Sequence, residues 1–257
     1  MVSQSLAVEI AVQGADGARI ARSNGASRVE LCQGLSLGGL TPSIGTIETV
    51  VAEAEADGAH DIHVLVRSRA GDFVYSDRDV DLMVRDIEAT AEAGAAGVVI
   101  GALTAKGTID RRSIRRLISA AGDLCITFHR AVDIVTSSAA AVSELGELGV
   151  NRVLTSGRAT SSENGAEVLR QMVEAATGRL EIMAGGGVTI ASIPLLASTG
   201  VDAVHLSARV AAQKTFGSGP GGGDDDYEVT DPRAVALAVA AAAKASREIV
   251  IRHQPKA

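Results

Sequence analysis

Short aliphatic runs that alternate with polar residues at period two recur along the chain, and each is followed by a stretch whose apolar positions repeat at helical spacing. The runs predict strands over Leu6–Val12, Arg28–Cys32, Ile62–Arg67, Gly97–Gly101, Leu124–His129, Arg152–Ser156, Leu180–Ala184 and Ala203–Ser207. The longer period predicts helices near Ala15–Asn24, Ser43–Asp57, Asp77–Ala93, Asp110–Ala121, Ser137–Leu148, Ser162–Ala175, Ile190–Ser198 and Asp231–Ile249. Several of these begin on Ser or Asp, whose side-chain oxygens accept from the free N–H groups of a first turn. Thr41-Pro42 marks the start of the second helix, with Pro in its first turn. The joints "NGAS", "DGAH", "AGAA", "LGVN" and "TGVD" place Gly where a helix must end before the next strand. Eight such units in 257 residues predict one α/β domain spanning 1–257, a closed (β/α)8 TIM barrel. A doubly wound open sheet is the runner-up, but the first strand-loop, "EIAVQGADGA", lacks the Gly-x-Gly-x-x-Gly of a dinucleotide site. Gly217–Asp226, "GSGPGGGDDD", breaks the rhythm and reads as a mobile solvated loop rather than a cation site.

The parity of the strands carries the chemistry. If Val8 and Ile10 face the helices, Glu9 faces the barrel interior, and the same alternation turns Glu30, Cys32, Arg67, Thr127, His129, His205 and Ser207 inward. Barrel interiors are usually filled by branched aliphatics, and function gathers at the C-terminal ends of the strands. Glu30, Cys32, Arg67, His129 and His205 fall near such ends, with Glu9 a layer deeper. The bland alternatives are a buried Glu9–Arg67 ion pair that fixes the barrel register, and a His205 satisfied in the core. "TFHRAVD" puts His129, Arg130 and Asp133 at one strand-loop junction, a placement that favours function. His63 and Cys125 sit at strand starts and read as packing. Arg67 and Arg69 in "RSRAGDFVYS" can hold an anion bidentately. Gly185, Gly186 and Gly187 fall where barrel enzymes cradle phosphate, with Ser207 and Arg209 nearby, although a tight turn without a ligand fits the glycines equally well.

Composition narrows the classes. A net charge of -7, 2% aromatic residues and no Trp leave neither a basic stripe nor a stacking platform, which disfavours nucleic-acid binding. Two cysteines in apolar runs fit a reducing, cytoplasmic setting, and no apolar run reaches the roughly 18 residues of a membrane span. The residues alone support an enzyme acting on a small anionic ligand, phosphorylated or carboxylated. Arg67, Arg69, Arg130, Ser207 and the Gly185–Gly187 loop would bind it. Glu9, Glu30 and His129 would handle protons, and Asp133 would orient the cation or the histidine. Lyase, isomerase and hydrolase chemistry all stay open, as does a self-satisfied polar interior with no ligand.

The stretches "RVELCQGLSLGGLTPSIG", "RSRAGDFVYSD", "GVVIGALTAKGTID", "TFHRAVD", "RVLTSG" and "GGGV" resemble the CutC family of copper homeostasis proteins, in the same order from about Val8 to Ser207. The resemblance implies a (β/α)8 barrel, a cytoplasmic setting, a homo-oligomer such as a dimer, and copper handling. Cys32 is then the expected Cu+ ligand, with His129, His205 or a second chain supplying the others, and Met183 a thioether on strand seven. Relatives often carry Cys at the position of Ala11 and Asp at Gln13, so one thiol of the expected pair is missing here. The family's Arg-Pro-Arg reads Arg67-Ser68-Arg69, its second Phe after the histidine reads Val132, and its Pro before the glycines reads Ala184. Cu+ favours at least two soft ligands, so the loss of a thiol beside retained Glu9, Glu30, Arg67, His129 and Asp133 shifts weight toward acid-base or anion chemistry.

Overall fold

Each predicted strand is present, the seventh shifted by one residue and the others shorter by a residue or two: β1 Ala7–Val12, β2 Arg28–Leu31, β3 Ile62–Leu65, β4 Gly97–Ile100, β5 Cys125–Phe128, β6 Arg152–Thr155, β7 Glu181–Gly185 and β8 Ala203–Leu206. In this computed structural model, which describes residues 5–213 and 227–253, the eight pair in parallel and close as a ring in chain order, β1 to β8 and back to β1. The helices α1 Ala15–Ser23, α2 Ile44–Ala56, α3 Asp77–Glu92, α4 Arg111–Ala121, α5 Ser138–Leu148, α6 Ala166–Ala176, α7 Ile193–Ser198 and α8 Pro232–His253 alternate with them. The fold is therefore the expected (β/α)8 barrel. The low-complexity stretch Gly217–Asp226 lies outside the described residues. No helix among the described residues is long and apolar enough to cross a membrane.

The alternation decides what lies on each side of the sheet. Val8, Ile10 and Val12, Val29 and Leu31, Ile126 and Phe128, and Val204 all join the layer between sheet and helices. Their neighbours point into the barrel. Two small apolar clusters form there, one of Cys32, Leu65 and Val99 and one of Leu154, Met183 and Ala203. Polar residues occupy the space between them. The strand register makes one row of these: Glu9 is the pairing partner of Arg28 on β2 and of His205 on β8. Three adjacent strands thereby present a carboxylate, a guanidinium and an imidazole at one level.

The caps bear out some boundaries and correct others. Ser76 accepts from the Asp79 N–H while Asp79 accepts from the Ser76 N–H, a capping box at the head of α3. At α2 the cap is Ser43, so Pro42 precedes the helix instead of sitting in its first turn. Helix α6 begins at Ala166, later than Ser162 predicts, because Ser162 donates its hydroxyl to the Gly186 carbonyl and the segment serves the neighbouring loop first. Between β8 and α8 the sequence pattern missed an antiparallel pair, β9 Arg209–Ala211 with β10 Glu228–Thr230.

Candidate functional site

The cavity at the C-terminal ends of the strands has a volume of about 360 Å³. Glu30, Cys32, Arg67, His129, Arg130, Gly186, Gly187, His205 and Ser207, all singled out from the sequence, lie on its wall. Ala11, Leu65, Phe73 and Leu154 give it an apolar side. Glu9, Arg69, Asp133 and Gly185 do not line it. Each of the four has a different position and a different physical reason for it.

Glu9 lies beneath the cavity and is fully buried. His205 Nδ1 is 2.8 Å from its Oε1, and Arg28 Nε donates to its Oε2 at 3.1 Å. The pairing expected between Glu9 and Arg67 is thus replaced by one with Arg28. Parity would have found Arg28, which shares the inward face of β2 with Glu30 two residues on. On the other side of the ring, His205 Nε2 stands 3.5 Å from Glu30 Oε2, so the imidazole bridges two carboxylates. Burial alone would push the Glu9 carboxyl up, but the hydrogen bond and charge of His205, with Arg28 behind them, hold it well below the usual carboxylate range. Burial opposes charge on His205 too, and Glu30 and Glu9 outweigh it, so the cationic form of the ring is favoured. Glu30 is left with the burial penalty, partly offset by His205 and reinforced by Glu9, and is pushed up to about 7.

Gly185 is a strand residue, not a cradle. A Cβ there would overlap the Leu154 side chain and crowd the His205 Cβ at 3.2 Å, so its lack of a side chain makes room first for Leu154 and then for His205. Gly186, by contrast, has φ +102 and presents its Cα face to Arg130, whose guanidinium would meet an added Cβ at 2.9 Å. Arg130 donates from Nε to Asp133 Oδ2 and from Nη2 to Ser156 Oγ. Asp133 also accepts from the Ser156 N–H and from the Thr155 hydroxyl at 2.6 Å. It therefore orients the cation, one of the two roles expected of it, and does so by tying the segment after β5 to the end of β6. Arg130 keeps a half-exposed side chain over the Gly186–Gly187 turn, across the ring from β1.

Arg67 has a different task from the one its charge suggested. Its Nη1 donates to the Leu37 and Gly39 carbonyls and its Nη2 to the Gly71 carbonyl, at 3.1, 3.0 and 2.7 Å. The guanidinium fastens the loops after β2 and β3 to each other. Arg69 turns away to Asp72, the Val74 carbonyl and the Tyr75 ring, outside the cavity. Arg67→Ala is expected to cost about 3 kcal/mol, because three carbonyls, that of Gly39 in a buried bond and the other two in part-buried ones, lose a charged donor. Urea unfolding of the variant measures it, and a loss below about 1 kcal/mol would show that the loops hold without it.

His129 accepts the Ala131 N–H on Nδ1, so the proton of the neutral ring is on Nε2, a buried atom with no partner. The ring packs against Phe73 with centroids 4.8 Å apart. Burial and the nearby Arg67 charge lower it to about 3, which makes it a neutral donor and not a proton-exchanging base at neutral pH. The sign follows from linkage. The unfolded chain takes up a proton below about pH 6.5 and the folded ring does not, so stability falls as pH drops from about 6.5 toward 3. Relative to His129→Gln, the wild type is expected to lose about 3 kcal/mol between pH 7 and pH 4.5, measured by urea unfolding at both values. A constant difference would place the ring in water.

The donors expected for copper do not fit it. The Cys32 thiol donates to the Val12 carbonyl at 3.5 Å, and burial together with the Glu30 charge pushes it up, away from the thiolate that Cu+ takes. Both ring nitrogens of His205 face carboxylates, and His129 offers an N–H. Met183 Sδ lies beneath the cavity, 3.8 Å from Arg28 Nη2. Among the described residues no three His, Cys, Asp or Glu side chains gather as metal ligands.

With this geometry in place, comparison with known proteins adds the following. A family model described as the CutC family matches residues 6–210. A family protein CutC of Xanthomonas campestris pv. campestris is 43% identical over 211 residues, covering 81% of this chain and 86% of the relative. Its counterpart in Xylella fastidiosa is 40% identical over 234 residues, covering 88% and 85%. A solved structure of CutC from Streptococcus agalactiae, a protein named for copper homeostasis, superposes with a TM-score of 0.74 at 32% identity, covering 79% of this chain and 98% of that one.

Proposed function

This chain belongs to the CutC family, and on that footing we propose that its barrel mouth is an enzyme site for acid-base chemistry on a small phosphorylated or carboxylated molecule. One observation carries the reading: the bonded row Glu30, His205, Glu9 ends in the wall of a cavity that also holds Arg130 over the Gly186–Gly187 turn. Arg130 and the backbone of that turn supply positive potential for the anion. Glu30, whose proton comes and goes near neutral pH, accepts a proton from the bound molecule or returns one to it, and His205 holds the carboxylate in place. His129 lends a neutral N–H once a ligand oxygen displaces the Phe73 contact. The proton step is common to isomerases, lyases and hydrolases.

Copper homeostasis, for which the Streptococcus agalactiae protein is named, enters as the setting of this activity and not as ligation by Cys32, His129 and His205. Two measurements test the reading. A thermal-shift screen of small phosphorylated and carboxylated compounds is expected to yield binders that Arg130→Ala loses; binders held equally by both proteins would sink the anion role. An anaerobic Cu+ competition titration is expected to give weak binding that Cys32→Ser leaves unchanged. Tight, stoichiometric binding abolished by that substitution would restore copper ligation in its place.

A further inference from the structure

Arg28 is absent from the cavity wall, yet it is bonded to the carboxylate beneath it. Its Nε donates to Glu9 Oε2 at 3.1 Å and its Nη1 lies 3.4 Å from Glu181 Oε2, so β2 is linked to both β1 and β7 below the mouth. The two oxygens of Glu9 are thereby divided, Oε1 to His205 and Oε2 to Arg28. Glu9 has no solvent contact to replace either partner.

We propose that Arg28 is a positioning residue for the mouth: by fixing the Glu9 carboxylate from below, it holds the His205 imidazolium between the two carboxylates and aims Glu30 into the cavity. The proposal rests on the acid-base reading of the mouth. The chain of contacts runs Arg28, Glu9, His205, Glu30; the first two links join residues paired in register on neighbouring strands, and the third crosses over β1 from β8 to β2. A carboxylate bonded at both oxygens cannot rotate without leaving one of them buried and unpaired, which is costly. With Arg28 gone, Glu9 keeps only His205, and the pair shifts toward a neutral acid and a neutral imidazole. Glu30 then loses its cation. Arg28 also sits two residues below Glu30 on the same strand face, so removing its charge acts in the same direction.

The other charged groups facing this row bear on the sign. His63 faces Glu9 and is lowered to about 4 by burial, so it is neutral and adds no competing cation. Arg130 faces His205 from the segment after β5 and disfavours its charge, which leaves the two carboxylates as the groups that hold the proton there. Glu181 is shared between Arg28 and Arg152, and Arg152 donates to it at 2.6 Å, so Glu181 retains a cation when Arg28 is replaced. Cys32 next to Glu30 stays protonated.

The test needs no substrate. Imidazole 15N spectra of the full-length protein report the protonation of His205, assigned with His205→Gln, and side-chain 13C spectra follow the Glu30 carboxyl through pH 5 to 9. In wild type, His205 is expected to carry protons on both nitrogens at pH 7. In Arg28→Gln the Glu30 midpoint is expected to rise by about one pH unit, with His205 losing its imidazolium signature, and Arg28→Lys is expected to recover most of both. A folded Arg28→Gln with wild-type midpoints overturns the proposal. So does a singly protonated His205 in wild type, a result obtainable even if Arg28→Gln fails to fold. A positive NMR result beside a ligand screen with no binders would leave Arg28 its positioning role and remove the enzymatic reading, so the two failures are distinct.

Discussion

Glu9→Ala is expected to lose about 3–5 kcal/mol of stability at pH 7, because it leaves the charges of Arg28 and His205 facing each other in a buried space with no anion between them. Glu9 is fully buried and bonded to both. Its stabilising charge follows the sign of a lowered carboxyl: present above the unfolded value, and lost as pH falls through the folded one. The deficit of the variant should therefore be largest at neutral pH and shrink in strong acid. Urea unfolding across pH 3 to 7 measures it. A loss under about 1 kcal/mol at pH 7 would mean that water, and not the protein, solvates these charges.

Glu30→Gln should do the opposite to stability while removing function. The Glu30 carboxyl is raised from 4.5 to about 7, so the folded state resists an ionisation that the unfolded chain accepts. The penalty is absent below about pH 4.5, grows as pH rises, and is complete above about 7. Gln, neutral at every pH, escapes it. The variant is expected to gain up to about 3 kcal/mol over wild type at pH 8, less what its weaker bond to His205 forfeits, and nothing below pH 4.5. Proton transfer to any substrate that the mouth accepts should fall by a factor of about 10² to 10⁴ with binding retained. Thermal unfolding at pH 4.5 and 8 checks the first half without a substrate. Equal differences at both pH values would show that Glu30 titrates as an ordinary carboxylate.

Much of this was readable from residue order, and the exceptions have physical causes. Parity assigned Glu9, Glu30, Cys32, Arg67, His129, His205 and Ser207 to the interior because a strand's side chains alternate without regard to what they later touch. Contacts are another matter. The charge on Arg67 suggested an anion ligand, but whether its donors reach a ligand or three loop carbonyls depends on how two loops fold over β3. Asp133 looked like a partner for its neighbours Arg130 or His129. It takes Arg130 on Oδ2, and its other oxygen anchors a segment 22 residues away in sequence, starting at Thr155. Arg28 escaped notice although the same alternation marks it as inward; it opens β2, at the end of the strand away from the mouth. Gly185–Gly187 illustrates the limit most clearly: one glycine clears space for Leu154 and His205 and the next for Arg130, and only the backbone course separates the two purposes.

On the proposed reading, the mouth binds an anion through Arg130. Titration of the protein with inorganic phosphate by calorimetry, wild type against Arg130→Ala, tests it most directly. The arrangement of Arg130 over Gly186 predicts measurable phosphate binding at the mouth that falls by about tenfold or more in the variant. Identical affinity in both proteins, or no phosphate binding by wild type, would contradict it.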